Sequence, residues 1–157
     1  MPANSWKLAP GLNNVGSFQV SGRPFASGSC VAPASGSSLV VRFPSVTKWF
    51  QIEPLSGSGA RALRVAFSEQ GLYGKGGAGG TEDGYNFRLN ASSSFCRPLD
   101  MKVSEVWLMS EDSATYTVDI LAGLTNVQIG SLYTGDRTIN GAVEAAGPNW
   151  SGSIGVG

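Results

Sequence analysis

The chain has 157 residues, a length typical of one domain, and its formal net charge is zero. Glycine, proline and serine make up about a third of it, charged residues 14% and hydrophobic residues 41%, which favours many short strands joined by turns over helices or disorder. A neutral chain has no field that attracts nucleic acid, and a chain without histidine lacks the commonest general base and metal ligand. We therefore expect no nucleic-acid partner, no cofactor and no enzymatic activity.

The first 16 residues show neither a helical nor a strand period and are predicted to form an extended N-terminal arm, 1–16. They lack the basic segment and apolar run of a secretory signal, and no stretch of the chain approaches the roughly 20 apolar residues that span a bilayer. We expect synthesis in a cytoplasm and no membrane partner. A weak strand candidate at 17–20 opens the predicted β domain, which covers residues 17–121.

From residue 38 onward, hydrophobic residues alternate with polar or small ones, which is the period of a half-buried strand. The inward sets predicted for four strands are Leu39, Val41 and Phe43; Leu63, Val65 and Phe67; Tyr85, Phe87 and Leu89; and Tyr116, Val118 and Ile120. Strand-length segments at 46–53 and 99–109 bring the total to about seven strands, separated by Gly- and Pro-rich turns. This pattern predicts an all-β fold, an antiparallel sandwich of two packed sheets.

Two tryptophans fall outside the simple alternation. Trp49 points away from the inward face of its strand. Trp107 lies on one face of its strand, and Val106 and Leu108 lie on the other. Either a bulge within 99–109 resets the period, or both faces of that strand are covered. Each tryptophan then either packs under a loop or terminal segment, or forms an intersubunit contact or a sugar-stacking surface.

Residues 71–84 contain seven glycines. Three of them match the G-x-G-x-x-G spacing of a dinucleotide-binding loop, but the segment leads into a strand instead of the helix whose N-terminus would bind pyrophosphate. We expect either a long hairpin loop or a loop that becomes ordered on a partner. The second alternative makes Tyr73 and Lys75 candidate partner-binding residues.

Three arginines and two cysteines leave alternatives open. Arg42, Arg64 and Arg88 project from the polar faces of three predicted strands and would form a basic stripe if those strands were neighbours. They are either solvated and salt-bridged or in contact with acidic groups of a partner protein.

Cys30 and Cys96 lack metal-ligand spacing and are expected to be reduced and half-buried, although sequence alone leaves their pairing open.

Residues 122–157 also show neither period and are predicted to form an extended C-terminal arm. Ordering this backbone on its own domain would lose more conformational entropy than its scattered apolar side chains return on burial. We therefore expect both arms to lie on neighbouring chains, which supply further burial. The apolar residues expected to make these contacts are Leu124, Ile129, Leu132, Tyr133 and Trp150.

Four segments carry a resemblance to a known class of protein. They are LRVAFSEQGLYG (63–74), YNFRL (85–89), LDMKVSEVWLM (99–109) and YTVDILAGLT (116–125). In strand order and local sequence they resemble the β-sandwich or jelly-roll proteins of viral particles, in particular the small cement or decoration proteins of tailed-bacteriophage heads. The resemblance covers roughly residues 37–125.

This resemblance implies a structural, non-enzymatic virion protein, commonly a homotrimer, on the outside of the capsid. Such a protein binds the major capsid protein and braces the junctions between its subunits, and it has no catalytic residues to carry over. Apolar arms suit this role, because many weak contacts add up in avidity. The alternative is a carbohydrate- or receptor-binding module of a fibre, tail or lectin-like protein, with Trp49, Trp107, Tyr73 or Tyr85 as its stacking surface.

Overall fold

The computed structural model describes residues 22–55, 62–73, 86–90, 97–129, 137–139 and 142–144. Over these residues the fold is an all-β sandwich of antiparallel sheets, which confirms the fold class expected from the sequence. The elements are β1 (Arg23–Ala32), β2 (Leu39–Arg42), β3 (Thr47–Pro54), β4 (Ala62–Ala66), α1 (Glu69–Tyr73), β5 (Asn86–Asn90), β6 (Glu105–Ser110), β7 (Tyr116–Leu124), β8 (Arg137–Ile139) and β9 (Ala142–Glu144). The predicted arm at 1–16 and the strand candidate at 17–20 lie outside the described residues.

The two main sheets have the strand orders β1-β7-β3 and β2-β6-β4-β5. The chain alternates between the sheets from β1 to β4, and between β5 and β6 it returns briefly to β3. There Leu99 forms an isolated antiparallel bridge with Phe50, in which the backbone N–H groups donate to the facing C=O groups at 2.8 and 3.0 Å. β8 and β9 pair with each other as a separate two-stranded sheet.

The core between the main sheets is filled by side chains that the alternation places inward. Tyr116, Val118 and Ile120 of β7 are buried as predicted, and Ile52 of β3 lies opposite Ile120. Five rings form a chain of contacts with centroid separations of 5.1, 6.4, 6.1 and 6.3 Å: Phe25, Phe43, Phe50, Phe67 and Phe87. The first four rings come alternately from the two sides of the sandwich, so these contacts join one sheet to the other.

β1 is a strand that the sequence pattern did not indicate, because most of its residues are small or polar. Its pairing with β7 is interrupted between Ser27 and Cys30, where Gly28 and Ser29 form a bulge. Ser29 has a left-handed φ of 55°, and its N–H donates to Asp119 Oδ1 at 2.7 Å. A bulge of this kind on an edge strand hinders pairing with the edge of another sheet.

The sandwich extends beyond its predicted C-terminal boundary. β7 continues to Leu124, which is only 3% exposed, and Val127 beyond it is also buried. The N–H of Val46 donates to the C=O of Val127 at 3.1 Å. The prediction that Leu124 contacts a neighbouring chain from an arm is therefore wrong, because the inward period of β7 continues through the small residue Ala122 to Leu124.

Both faces of β6 are covered, which was one of the two alternatives for this part of the sequence. Val106 and Leu108 lie in the main core, whereas Met109 packs with Ala66 of β4 and Leu72 of α1 on the outer side. A helix thus closes a second, smaller apolar cluster on the outside of the β2-β6-β4-β5 sheet.

Polar side chains fix the two ends of α1. The N–H of Gly71 donates to Ser68 Oγ at 3.0 Å, which is the bond of a helix N-cap. At the other end, Asn86 Nδ2 of β5 donates to the C=O groups of Gly71 and Leu72 at 3.1 and 3.3 Å. These bonds hold a helix of five residues that is too short to be stable alone.

Tyr116 is buried with no hydrogen-bond partner for its hydroxyl in the part of the chain that the structure describes. An unmade hydrogen bond in apolar surroundings is unfavourable, so Tyr116→Phe is expected to leave the free energy of unfolding unchanged or to raise it by up to about 1 kcal/mol. Urea titration at neutral pH measures this difference. A loss of more than about 1 kcal/mol would contradict the expectation.

The same side chain gives the stability a dependence on alkaline pH. Burial raises the pKa of the Tyr116 hydroxyl above its usual value of 10.0, so the unfolded chain loses this proton first. The contribution of Tyr116 to stability is therefore complete below about pH 10 and is lost as the pH rises through the pKa of the folded state. Above about pH 10, the wild-type protein should lose more stability per pH unit than Tyr116→Phe.

Candidate protein-contact surfaces

The side of the β1-β7-β3 sheet that faces away from the core carries uncharged residues near one end. Opposite residues on neighbouring antiparallel strands point to the same side and form rows across the sheet. Leu121 projects from the middle strand here and is 41% exposed, and Trp49 beside it is half-buried. We call two rows together the outer β1-β7-β3 face: Pro24, Gly123 and Trp49 in one, and Ala26, Leu121 and Gln51 in the next.

An acidic row borders this face. Glu53 and Asp119 are directly opposite each other, an arrangement in which like charges repel. Each carboxylate accepts a hydrogen bond that offsets part of this repulsion, Asp119 from the backbone N–H of Ser29 and Glu53 from the side chain of Gln51. The surface therefore changes from apolar to acidic between one row and the next.

The two tryptophans occupy different environments. Trp107 lies on the outer side of β6, where it packs with Tyr73 against the small cluster beneath α1, and its Nε1–H donates to Glu105 Oε1 at 3.0 Å. The sequence offered packing under a loop or terminal segment as one alternative for Trp107, and the structure has a short helix in that place. Trp49 belongs to the outer β1-β7-β3 face, where it lies opposite Gly123.

The arginines are salt-bridged, which was one of the alternatives from the sequence, and they do not form one stripe. Arg42 Nε on β2 pairs with Glu105 Oε2 at 3.2 Å. In the same sheet, Arg64 of β4 lies opposite Arg88 of β5. Glu111 Oε1 lies 3.2 Å from Arg64 Nη2 and 2.9 Å from Arg88 Nε. We call Arg64, Arg88 and Glu111 the arginine cluster.

The arginine cluster is incompletely satisfied. The side chain of Arg64 is 16% exposed, and its Nε is buried with no hydrogen-bond partner among the described residues. Leaving a buried donor without a partner usually costs about 1–3 kcal/mol. Arg88, in contrast, is 59% exposed, so the cluster combines a guanidinium fixed by burial with one that solvent reaches.

The remaining sequence candidates fall into three groups. Ile129 is half-buried directly after the sandwich, and Leu124 belongs to the core. Cys30 is a free, half-buried cysteine as expected, with its sulfur 3.2 Å from Ser27 Oγ. Six residues lie outside the described part of the chain: Lys75, Tyr85, Cys96, Leu132, Tyr133 and Trp150.

Sequence reasoning missed Leu121, the Glu53–Asp119 row and Glu111. The alternation that places Asp119 outward on β7 also places Leu121 outward, so this residue had a signal in the sequence. Glu111 had none, because it lies just after β6 and is far from β4 in the sequence, although its N–H donates to the C=O of Ala62 on β4 at 2.9 Å.

The described residues contain no group of three or more His, Cys, Asp or Glu side chains that could hold a metal ion. Among the same residues, no helix has the length and apolarity needed to cross a bilayer. Neither a protein-family model nor a curated protein matches the chain.

Proposed function

We propose that this chain is a structural virion protein, a cement or decoration protein that binds the outside of a tailed-bacteriophage head and braces junctions between major capsid subunits. The observation that carries the proposal is the outer β1-β7-β3 face, two adjoining uncharged rows with Leu121 and Trp49 exposed or half-exposed. An apolar area with a polar rim is typical of a surface that binds another protein.

The order of the strands supports a more specific fold within the sandwich, and we infer that it is a jelly roll. Counting the Leu99 bridge as a strand at its place in the chain gives two sheets of four strands each. Eight strands in two such sheets are the jelly-roll arrangement, which is found in viral capsid proteins and in lectins. The fold alone does not distinguish a capsid protein from a lectin. The surface residues have to be tested for that.

A test of shell binding uses the exposed residue at the centre of the proposed contact face. Leu121→Arg places a long charged side chain within the apolar rows and is expected to weaken binding to empty heads of the parent virus by about tenfold or more, because removing a charge from water on binding is unfavourable. Cosedimentation of purified protein with undecorated heads measures the binding. Met101→Arg is the matched control, because Met101 is 38% exposed but lies outside this face.

The two variants separate the possible outcomes. Loss of binding in Leu121→Arg with retention in Met101→Arg supports attachment through the outer β1-β7-β3 face. Equal binding of both variants at wild-type strength would contradict it.

The expected homotrimer is a separate prediction, which sedimentation equilibrium of the free protein tests.

A carbohydrate- or receptor-binding module is the second candidate, and the position of Trp49 favours it. This half-buried indole lies opposite Gly123, so no side chain of β7 stands directly across from it. Flat sugar faces stack on exposed aromatic rings. Saturable changes in tryptophan fluorescence on addition of glycans, abolished in Trp49→Ala and kept in Trp107→Phe, would support this candidate over capsid decoration.

A further inference from the structure

The arginine cluster contains two like charges that share one counter-charge. Arg64 and Arg88 are directly opposite each other on β4 and β5, a register in which the side chains start about 5 Å apart and repel. One oxygen of Glu111 bridges both guanidinium groups. The three residues therefore carry one positive charge in excess.

The structure also shows where that excess charge is accessible. Arg64 is largely buried and fixed by Glu111, whereas most of the Arg88 side chain faces solvent. An arginine has five N–H donors in a planar fork, and the contact of Arg88 with Glu111 uses its Nε. Most of the Arg88 side chain is thus accessible to solvent, beside the second positive charge of Arg64, which is largely buried.

We propose that the arginine cluster is a docking site for one aspartate or glutamate side chain of a protein partner. The incoming carboxylate binds the exposed guanidinium of Arg88, and Glu111 stays on Arg64. Two carboxylates then balance two guanidinium groups. This inference goes beyond the proposed function, because it requires only these three side chains and an acidic partner, whether or not that partner is a capsid protein.

The charge and shape of the cluster favour a carboxylate over other anions. Glu111 shows that a carboxylate fits between the two arginines, and one excess charge matches a singly charged group. Nucleic acid is held by several phosphate contacts at once, which one exposed arginine in a neutral chain does not supply.

The first experiment uses the full chain and a fluorescently labelled peptide with four glutamates, at physiological ionic strength. We expect saturable binding that falls about two- to fivefold in Arg88→Gln, the range for one exposed ion pair. Arg42→Gln is the matched control and should bind as the wild type does. Arg42 is exposed on the same sheet but sits three strands away, about 14 Å, which exceeds the screening distance at physiological salt.

Glu111→Gln distinguishes a carboxylate-binding role of the arginine cluster from a merely structural one. It keeps an oxygen acceptor for Arg64 but removes the internal carboxylate, so peptide binding is expected to strengthen by about two- to fivefold. Weaker binding in this variant would overturn the proposal. Circular dichroism checks the fold of every variant, and Arg88→Lys, which keeps the charge, should bind the peptide more tightly than Arg88→Gln does.

Control ligands complete the design. A peptide with glutamine in place of glutamate should not bind, and inorganic phosphate at equal concentration should compete poorly. Competition by phosphate equal to that of the peptide would identify a site for free oxyanions and overturn the proposal of a protein partner. Equal losses in Arg42→Gln and Arg88→Gln, or no binding to the wild type, would overturn it as well.

Discussion

Replacing Phe50 by alanine is expected to lower the free energy of unfolding by about 3–5 kcal/mol. Phe50 is fully buried on β3, and its ring lies 6.4 Å from that of Phe43 and 6.1 Å from that of Phe67, measured between centroids. It therefore contacts residues that follow strands of the other sheet. The residue opposite it is Ala122, which is too small to fill the space that a truncated side chain would leave.

Urea denaturation followed by circular dichroism measures this loss, with Leu121→Ala as the control. Leu121 is partly exposed on the outward side of β7, so its truncation should change stability by no more than about 0.5 kcal/mol. The backbone pairing of Phe50 with Leu99 does not depend on the side chain, so the difference reports ring packing. A loss below about 1 kcal/mol in Phe50→Ala would show that these ring contacts do not join the sheets.

The fold could be predicted wherever one face of a strand is apolar. β7 shows this most clearly, since Tyr116, Val118 and Ile120 are buried as alternation requires. The pattern failed at β1, where only a few apolar residues punctuate small and polar ones and the Gly28–Ser29 bulge shifts the phase. The pattern also failed at the end of β7, because the inward position between Ile120 and Leu124 is occupied by the small residue Ala122.

The contact surfaces were less predictable, because they depend on which strands are neighbours. Sequence alternation identified Arg64 and Arg88 as outward residues, but only the pairing of β4 with β5 places them opposite each other. That register depends on the turn and on the hydrophobic pattern of both strands together. Glu111 is brought to the pair by a third strand, so no local pattern could indicate it.

Truncation of the chain after Thr125 is expected to reduce the free energy of unfolding by about 2–4 kcal/mol more than truncation after Ile129 does. The shorter protein loses Val127, which is fully buried, together with the bond from the N–H of Val46 to its C=O. Burial of one valine and one hydrogen bond accounts for this difference. Thermal or urea denaturation of the two truncated proteins measures it.

The comparison also decides how residues beyond the sandwich can be tested for a role in assembly. A protein that ends at Thr125 is destabilised, so its loss of shell binding would not separate unfolding from a missing contact, whereas one that ends at Ile129 keeps the described packing of Val127. If Leu132, Tyr133 and Trp150 contact neighbouring chains, the protein ending at Ile129 should fold and no longer cosediment with heads. Val127→Asp in the full chain is the control, because it should lower stability without removing those three residues. Equal stability of the two truncated proteins would contradict the packing of Val127, and undiminished cosedimentation of the longer one would exclude an essential contact after residue 129.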